Sequence, residues 1–340
     1  MEVAVVILNY NGKHFLEQFL PGVIAHSQNA KIIVADNKST DDSVAFMLNN
    51  YPEITTLIND ENGGFAKGYN DALKRVKADI YVLLNSDIEV TPNWMEGCLS
   101  LLKTDSSIAA CQPKIKAFHH KTRFEHAGAA GGFLDKDYFP FCRGRIFEVI
   151  EDDHGQYNDD IEIFWATGAC LFIRAEIYHE LGGLDEAFFA HMEEIDLCWR
   201  IKKKGHKIYY SGQNEVYHVG GGTLDYQSPR KVYFNFRNSL FMLVKNHEGV
   251  WFPKLFKRMI LDGIAAFKLL FGGYFKHFWA VFRAHMALYA RLRTLLKQRK
   301  AIKAFTIKGN KKGIYQKSIV FDKFLRGVSL FSELNKKYFS

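Results

Sequence analysis

Short, predominantly apolar runs recur along the N-terminal part of the chain, at Val3–Leu8, Lys31–Ala35, Ile54–Ile58 and Ile80–Leu84. They lack the two-residue alternation of a strand with one wet face, so they predict strands buried on both faces of a sheet. Helix-length segments separate them, which is the order of a parallel α/β sheet with a Rossmann-like half. Ligands of such sheets lie beyond the carboxyl ends of the strands. The residues to inspect are therefore Asn9–Gly12, Asp36–Thr40, Asn59–Gly64 and Asn85–Asp87. From about Ile115 to Asn238 the pattern is less regular, with a Gly-rich aromatic stretch (Gly128–Phe147), an acidic stretch to Glu162, an apolar run at Ile163–Ile173 and a helical segment over Glu193–Lys204 that stops at Gly205. No repeat or low-complexity linker divides these residues, and they read as a second half of the same domain.

Beyond Asn246 aromatic and aliphatic residues interleave with Lys and Arg. Uncharged stretches there fall far short of the roughly 20 residues that span a bilayer. The pattern predicts amphipathic helices on an anionic membrane face, with Trp251, Phe275 and Trp279 at the interface. Charge changes the picture in the same place. The 340 residues carry 45 Lys+Arg and 37 Asp+Glu, a net of +8. Residues 1–240 hold 24 and 33 of these, a net of −9, whereas residues 241–340 hold 21 and 4, a net of +17. Basicity confined to one aromatic segment points to lipid headgroups and argues against nucleic acid. Five scattered cysteines, Cys98, Cys111, Cys142, Cys170 and Cys198, include no C-x-x-C pair and predict reduced thiols in the cytosol. Met1–Gly12 has no basic lead and no small-residue cleavage site, and reads as a first strand, not a signal peptide.

Each candidate motif admits two readings. Asp36 after the second strand can accept from a base N–H or a ribose hydroxyl, while Ser39, Thr40 and Asp41 can cap the next helix. Asn62–Asn70 places three glycines before a helix predicted over Asp71–Val76, either to bring backbone amides close to a phosphate or simply to turn the chain. It is not a P-loop. Asn85-Ser86-Asp87 ends an apolar strand on a carboxylate that can hold a divalent ion bridging phosphates, or can form an ordinary turn. Glu193 and Glu194 open a helix whose macrodipole favours anions, which suits a general base and equally suits capping. Asp196 and Arg200, four residues apart, form a structural ion pair on that helix. His218, before Gly220-Gly221-Gly222-Thr223, is a metal ligand or a satisfied histidine.

The ordered set of motifs is far more specific than any member. V-x-I-L-N-Y-N-G, V-A-D-N-x-S-x-D, N-x-G-F-A-x-G-Y-N, L-L-N-S-D, T-G-A-C-L-F-I-R, F-F-A-H-M-E-E-I-D-L-C-W-R and H-V-G-G-G-T closely resemble an inverting glycosyltransferase of family 2, rhamnosyltransferase-like branch, over about Val3–Asn246. The resemblance implies a GT-A fold: an α/β, Rossmann-like nucleotide-binding sheet (about residues 1–114) fused to an acceptor half (115–246), with C-terminal amphipathic helices forming a membrane-associating tail (247–340). It implies that Asp36 contacts the nucleobase. Leu8, Asn9, Asn62, Gly63, Phe65, Gly68, Asn85, Ser86 and Asp87 would bind the donor, and Thr167, Gly168 and Ala169 would sit by the sugar and acceptor. Asp87 and His218 would hold Mn²⁺ or Mg²⁺. Relatives carry Asp in an E-D-x-D motif where this chain has Glu194, so Glu194 or Glu193 is the implied base. Asn85 replaces the first Asp of the D-x-D element, and Arg237, ahead of Asn238, could approach the diphosphate.

The implied partners are a UDP- or dTDP-linked sugar, a glycan or lipid-linked acceptor and an anionic membrane, at the cytoplasmic face of the cell membrane. A sugar nucleotidyltransferase would open with a G-x-G-T-R-L-like loop where this chain has Asn9-Tyr10-Asn11-Gly12. A non-catalytic adaptor would have lost the carboxylates that are present at Asp36, Asp87 and Glu194.

Overall fold

The computed structural model describes residues 1–220, 228–307 and 309–340. The N-terminal runs form strands β1 (Val3–Asn9), β2 (Lys31–Asp36), β3 (Thr55–Ile58) and β4 (Ile80–Asn85), alternating with helices α1 (Lys13–His26), α2 (Ser43–Asn50) and α3 (Gly64–Leu73). All four strands are parallel, in the order β3-β2-β1-β4. Val5, Ile7, Val34 and Val82 pack into one apolar cluster, and Ala4, Val6, Ile33 and Leu83 into another. Side chains of successive strand residues point to opposite faces, so two clusters mean two covered faces. Register then aligns the polar strand ends: Asn9 lies opposite Asp36, and Leu8 opposite Asn85.

Beyond β5 (Ile88–Val90) and α4 (Glu96–Thr104) come β6 (Ile108–Ala117) and β7 (His120–Phe124). The Gly-rich aromatic stretch folds into a separate antiparallel sheet of β8 (Gly132–Asp135), β9 (Pro140–Cys142), β10 (Arg145–Ile146) and β11 (Val149–Ile150). The chain then returns to the large sheet through β12 (Ile161–Glu162), β13 (Cys170–Arg174) and, after α5 (Ala175–Glu180) and α6 (Glu193–Lys203), β14 (Lys207–His218). The apolar run Ile163–Ile173 is buried throughout, yet only its portion from Cys170 onward is strand. β13 inserts antiparallel between β4 and β6, and β14 runs parallel to β6. β5 pairs with the end of β14, which sets His218 opposite Ile88 and therefore beside Asp87.

The C-terminal third begins with α7 (Pro229–Asn246), whose N-terminus is capped by the Ser228 side chain and started by Pro229. α8 (Trp251–Phe271) and α9 (Phe275–Phe305) pack with it, followed by β15 (Ile314–Tyr315) and α10 (Ile319–Arg326). This region is more than a run of helices, because β15 adds a parallel edge strand to β8. Arg299 donates to the carbonyls of Val244 (3.0 Å) and Gly249 (2.6 Å), and buried Asp135 of β8 accepts from the Ile319 amide at 2.9 Å. Among the described residues no helix is long and apolar enough to cross a membrane. All five cysteines are free and buried.

Candidate active site

At the end of β2 the buried Asp36 carboxylate accepts from the Ser39 amide (2.8 Å), the Ser39 hydroxyl (2.6 Å) and Asn9 Nδ2 (3.0 Å). A carboxylate offers about four acceptor positions, so these bonds build the turn and leave capacity for one more donor. Asp41 joins the first turns of α1 and α2 by accepting from the amides of Lys13 (3.2 Å) and Ser43 (3.0 Å). Asn62 accepts from Asn37 Nδ2 and from the Gly64 amide, each at 3.0 Å. Gly68 lies against the Asn37 amide and Leu8 Cδ1, both 3.0 Å from where a Cβ would stand. A Cβ on Gly63 would lie 2.5–2.7 Å from the Lys67 side chain, and the Ser86 hydroxyl lies beside Gly12. These residues all meet at one edge of the parallel strands.

The glycine segment differs from the sequence expectation. The helix starts at Gly64, seven residues before Asp71, so most of the segment lies within its first two turns. Two of its leading amides are already engaged: Phe65 donates to the Phe189 carbonyl at 2.8 Å and Gly64 to Asn62. They are therefore closed to a phosphate. A Cβ on Gly64, which has φ +77°, would lie 2.5 Å from the Phe189 oxygen, so this close approach requires glycine.

Across the sheet edge, Asp87 Oδ1 lies 3.2 Å from His218 Nε2, and Asn85 Nδ2 lies 3.5 Å from the same nitrogen. Glu125 faces the other side of the ring, 3.5 Å from Nδ1, and the Ala127 amide donates to it. Burial alone would lower the imidazole, but Asp87 and Glu125 outweigh it and raise His218 to about 10. Burial raises both carboxyls, and the imidazole overrides it, holding Asp87 below its usual range and Glu125 at about 2. Two ligands at about 2.1 Å from one cation and at right angles stand close to 3 Å apart. The 3.2 Å spacing is that of an imidazolium–carboxylate pair, and it also suits adjacent ligands of a divalent cation once Nε2 gives up its proton, with Glu125 as the outer partner at Nδ1. Among the described residues no third His, Cys, Asp or Glu completes such a group. Gly221, Gly222 and Thr223 of the glycine run lie outside the described residues.

Glu193 and Glu194 follow an unusual turn. Phe189, His191 and Met192 have φ of 65°, 69° and 72°, in the region that costs non-glycine residues about 1–3 kcal/mol each. The turn is held from two sides, by the α3 amide of Phe65 and by Asn238 of α7. Asn238 Nδ2 reaches the carbonyls of Phe188 (3.1 Å), Ala190 (2.9 Å) and His191 (2.7 Å). Arg237 supports the same loop, its Nη2 donating to the carbonyls of Ala187 (2.9 Å) and Phe188 (2.8 Å) and its Nε to Asn238 Oδ1 (2.8 Å).

Glu193 is buried and Glu194 half-buried, and each leaves Oε2 without a partner among the described residues. Here burial beats the macrodipole. It pushes Glu194 up to about 7 and Glu193 well above the ordinary carboxyl range, with the charge of Glu194 adding to the desolvation of Glu193. The expectation of carboxylates held anionic by the helix end is overturned by their desolvation. Further along α6, Asp196 accepts from Arg200 Nε (2.9 Å), Lys245 (2.9 Å) and Asn246 (2.7 Å), while Arg200 donates to the Leu181 and Gly183 carbonyls.

The segment before β13 connects these parts. The Thr167 amide donates to Gln112 Oε1 (2.9 Å), its hydroxyl accepts from Ala169 (3.2 Å), and the Ala169 carbonyl accepts from the Asn85 amide (2.9 Å). Gly168 stands between Phe65 and Glu194: a Cβ there would lie 2.9 Å from Phe65 Cζ and 3.7 Å from Glu194 Cβ. Sequence reading missed Glu125 and Gln112, which carry no local motif, and gave Asn238 no role.

The family model described as glycosyl transferase family 2 matches residues 4–182, more than half of the chain. The chain belongs to glycosyltransferase family 2. Among curated relatives, the N-acetylglucosaminyl-diphospho-decaprenol L-rhamnosyltransferase of Mycobacterium tuberculosis is 22% identical over 263 residues, covering 73% of this chain and 85% of that protein. Rhamnosyltransferase WbbL of Escherichia coli is 24% identical over 217 residues, 61% of this chain and 80% of its own. Similar solved structures include GalNAc-T7 with UDP, GalNAc and Mn²⁺ (TM-score 0.56, 16% identity, 72% of this chain and 48% of that one). Another is the mannosyltransferase PcManGT of Pyrobaculum calidifontis with GDP-Man and Mn²⁺ (TM-score 0.51, 14% identity, 89% and 85%). These likenesses establish the GT-A type of fold for this glycosyltransferase.

Proposed function

We propose that this glycosyltransferase moves a sugar from a UDP- or dTDP-linked donor to a hydroxyl of a glycan or lipid-linked glycan, with inversion at the anomeric carbon, in cell-surface polysaccharide synthesis. One observation carries the reading: Glu194 stands across Gly168 from Phe65, on the sheet edge that also holds Asp36 and the Asp87–His218 pair. The relative that acts on a diphospho-decaprenol substrate supports a lipid-linked acceptor, and neighbours that hold UDP or GDP-Man support a nucleotide-sugar donor.

In this reading Asp36 and the Asn9–Asn62 cluster hold the base and ribose, and Thr167–Ala169 shapes the place where sugar and acceptor meet. Glu194, only half-buried, takes the proton of the attacking hydroxyl. Glu193, more deeply buried beside Glu194, is pushed toward its protonated form by desolvation. Asp87 and His218 would hold Mn²⁺ or Mg²⁺, which when bound neutralises the departing diphosphate. The basic aromatic segment would keep the enzyme on the inner face of the cell membrane.

Nucleoside diphosphate release across a panel of sugar nucleotides, with Mn²⁺, Mg²⁺ or chelator, tests the reaction; silence with every donor and metal refutes it. Two further results are expected. A base must be deprotonated to act, so kcat/KM should climb as pH rises through about 7 and then level off; a profile flat from pH 5 to 8 would remove Glu194 from that role. Glu125→Gln should raise the Mn²⁺ concentration needed for half-saturation by roughly 10–100-fold, the usual effect of losing a histidine's outer carboxylate. Electron paramagnetic resonance of free Mn²⁺ measures this without turnover, and an unchanged titration would sink the outer-partner role.

A further inference from the structure

The C-terminal helices leave two apolar stripes uncovered. On α8 these are Phe252, Phe256, Ile260, Ile264, Phe267 and Phe271, spaced by three or four residues, while Leu255, Arg258, Asp262 and Ala266 of the same helix face inward. On α9 Phe275, Trp279, Phe282, Met286 and Tyr289 repeat the same spacing. Phe271 is 85% exposed and Phe275 69%, and only Gly272, Gly273 and Tyr274 separate them. Stripes of this length on adjoining helices exceed the scattered apolar residues of an ordinary surface.

Beside them a groove of about 390 Å³ opens between α8 and α10. Its apolar lining includes Leu261 of α8 and Phe321, Phe324 and Leu325 of α10, the last 71% exposed. Its cations are Lys136, Lys257, Lys317 and Arg326. One carboxylate, Asp322, also lines it, but is buried and already accepts from Tyr315 Oη (2.7 Å) and Arg326 Nη1 (2.9 Å). Lys257 bonds Asp137 at 2.6 Å and Lys317 stands 4.5 Å from the Tyr338 ring centre, with Lys257 half exposed and able to swing to a new partner. Lys268 of α8 stands over the Phe324 ring at 5.4 Å, joining the groove to the exposed stripe. An apolar floor under net positive charge, continuous with an apolar helix face, matches an amphiphile with an anionic head.

We propose that the α8–α10 groove binds the headgroup of an anionic phospholipid while the stripes of α8 and α9 lie in the interfacial layer of the same bilayer. This rests on the membrane part of the reading above and specifies which surface makes the contact and which lipid it selects. The enzyme then docks with a fixed side down. Its hold on the bilayer has two separable components, aromatic insertion that any phospholipid satisfies and headgroup capture that needs negative charge.

The experiment is co-sedimentation of the full-length protein with phosphatidylcholine vesicles, with and without phosphatidylglycerol. The parent should bind both and prefer the anionic ones. A variant combining Lys136→Gln, Lys257→Gln and Lys317→Gln should lose at least about tenfold in affinity for the anionic vesicles, each basic residue near such a surface counting several-fold. It should bind pure phosphatidylcholine as the parent does and keep the parent's donor hydrolysis, which reports folding. A control with Lys297→Gln, Lys300→Gln and Lys303→Gln removes the same charge from α9 and should lose markedly less. Equal losses in the two variants, or none in the first, would overturn the groove while leaving membrane binding intact. A parent that binds neither vesicle would overturn both. Phe271→Ser with Phe275→Ser should weaken binding to both vesicles alike, and unchanged binding there would overturn the stripes.

Discussion

Glu194→Gln should bind the sugar nucleotide as the parent does and transfer the sugar roughly 10²–10⁴-fold more slowly, the usual contribution of a positioned general base. The substitution keeps the side chain's length and removes only the atom that takes the proton. Glu193→Gln is the informative comparison. Its carboxyl is buried, and desolvation and the neighbouring Glu194 charge push it well up, which disfavours the ionised form a base needs. Replacing it by an amide should cost far less in turnover. It should leave the pH at which activity rises nearly unchanged, because burial and not Glu193 pushes Glu194 up. Single-turnover rates at saturating donor, with donor affinity measured separately, check both variants; a Glu193 effect as large as that of Glu194 would move the base assignment to Glu193.

Asn238→Asp is expected to damage both stability and turnover. The amide nitrogen serves three carbonyls of the loop that leads into α6, and the residue is fully buried. A carboxylate in its place turns a donor into an acceptor facing three acceptors. Arg237 Nε, which donates to Asn238 Oδ1 at 2.8 Å, would still meet one oxygen, but the other would stand charged against three carbonyls deprived of their donor, a larger cost than the neutral loss alone. The loop's left-handed residues then lose the contact that keeps them in place, and Glu194 loses its fixed position. Asn238→Ala should show a milder form of the same fault, with buried carbonyls short of a donor at about 1–3 kcal/mol. Urea unfolding gives the first quantity and kcat the second. In the alanine variant kcat should fall while donor affinity holds; a fall in both, or in neither, would deny Asn238 its part in placing the base.

The parallel half was legible because its strands are buried on both faces and are written as near-continuous apolar runs. The strand ends followed from it, and with them Asn9, Asp36, Asn85 and Asp87. What the chain hid depends on distant partners. The start of α3 at Gly64 is decided by the Phe189 carbonyl, which only the folded chain brings to Phe65. Arg237 and Asn238 look like any polar pair on a helix until the loop at Phe188–His191 is seen against them. Glu125 follows a five-residue strand with no motif around it, and only the pairing of β14 with β5 and β6 turns His218 toward it and toward Asp87. The ionisation of the two glutamates was misread for a related reason. A helix end is local and visible in the chain, whereas the desolvation that overrides it is supplied by the rest of the fold. The second sheet was obscured by its strands of two to four residues, too short to show a period.

Strand β15 has a consequence for the order in which the molecule can be built. The sheet it completes begins with β8, and the ribosome releases Leu134 and Asp135 long before Ile314 and Tyr315, which pair with them. During synthesis the parallel half holds its strands early and is free to condense, while the edge of β8 stays open until Ile314 and Tyr315 emerge. Messages cut short after α9 would yield a protein with a formed parallel half and an unpaired strand edge, which is a template for aggregation. Closure of the second sheet thus waits on a segment made long after its first strand.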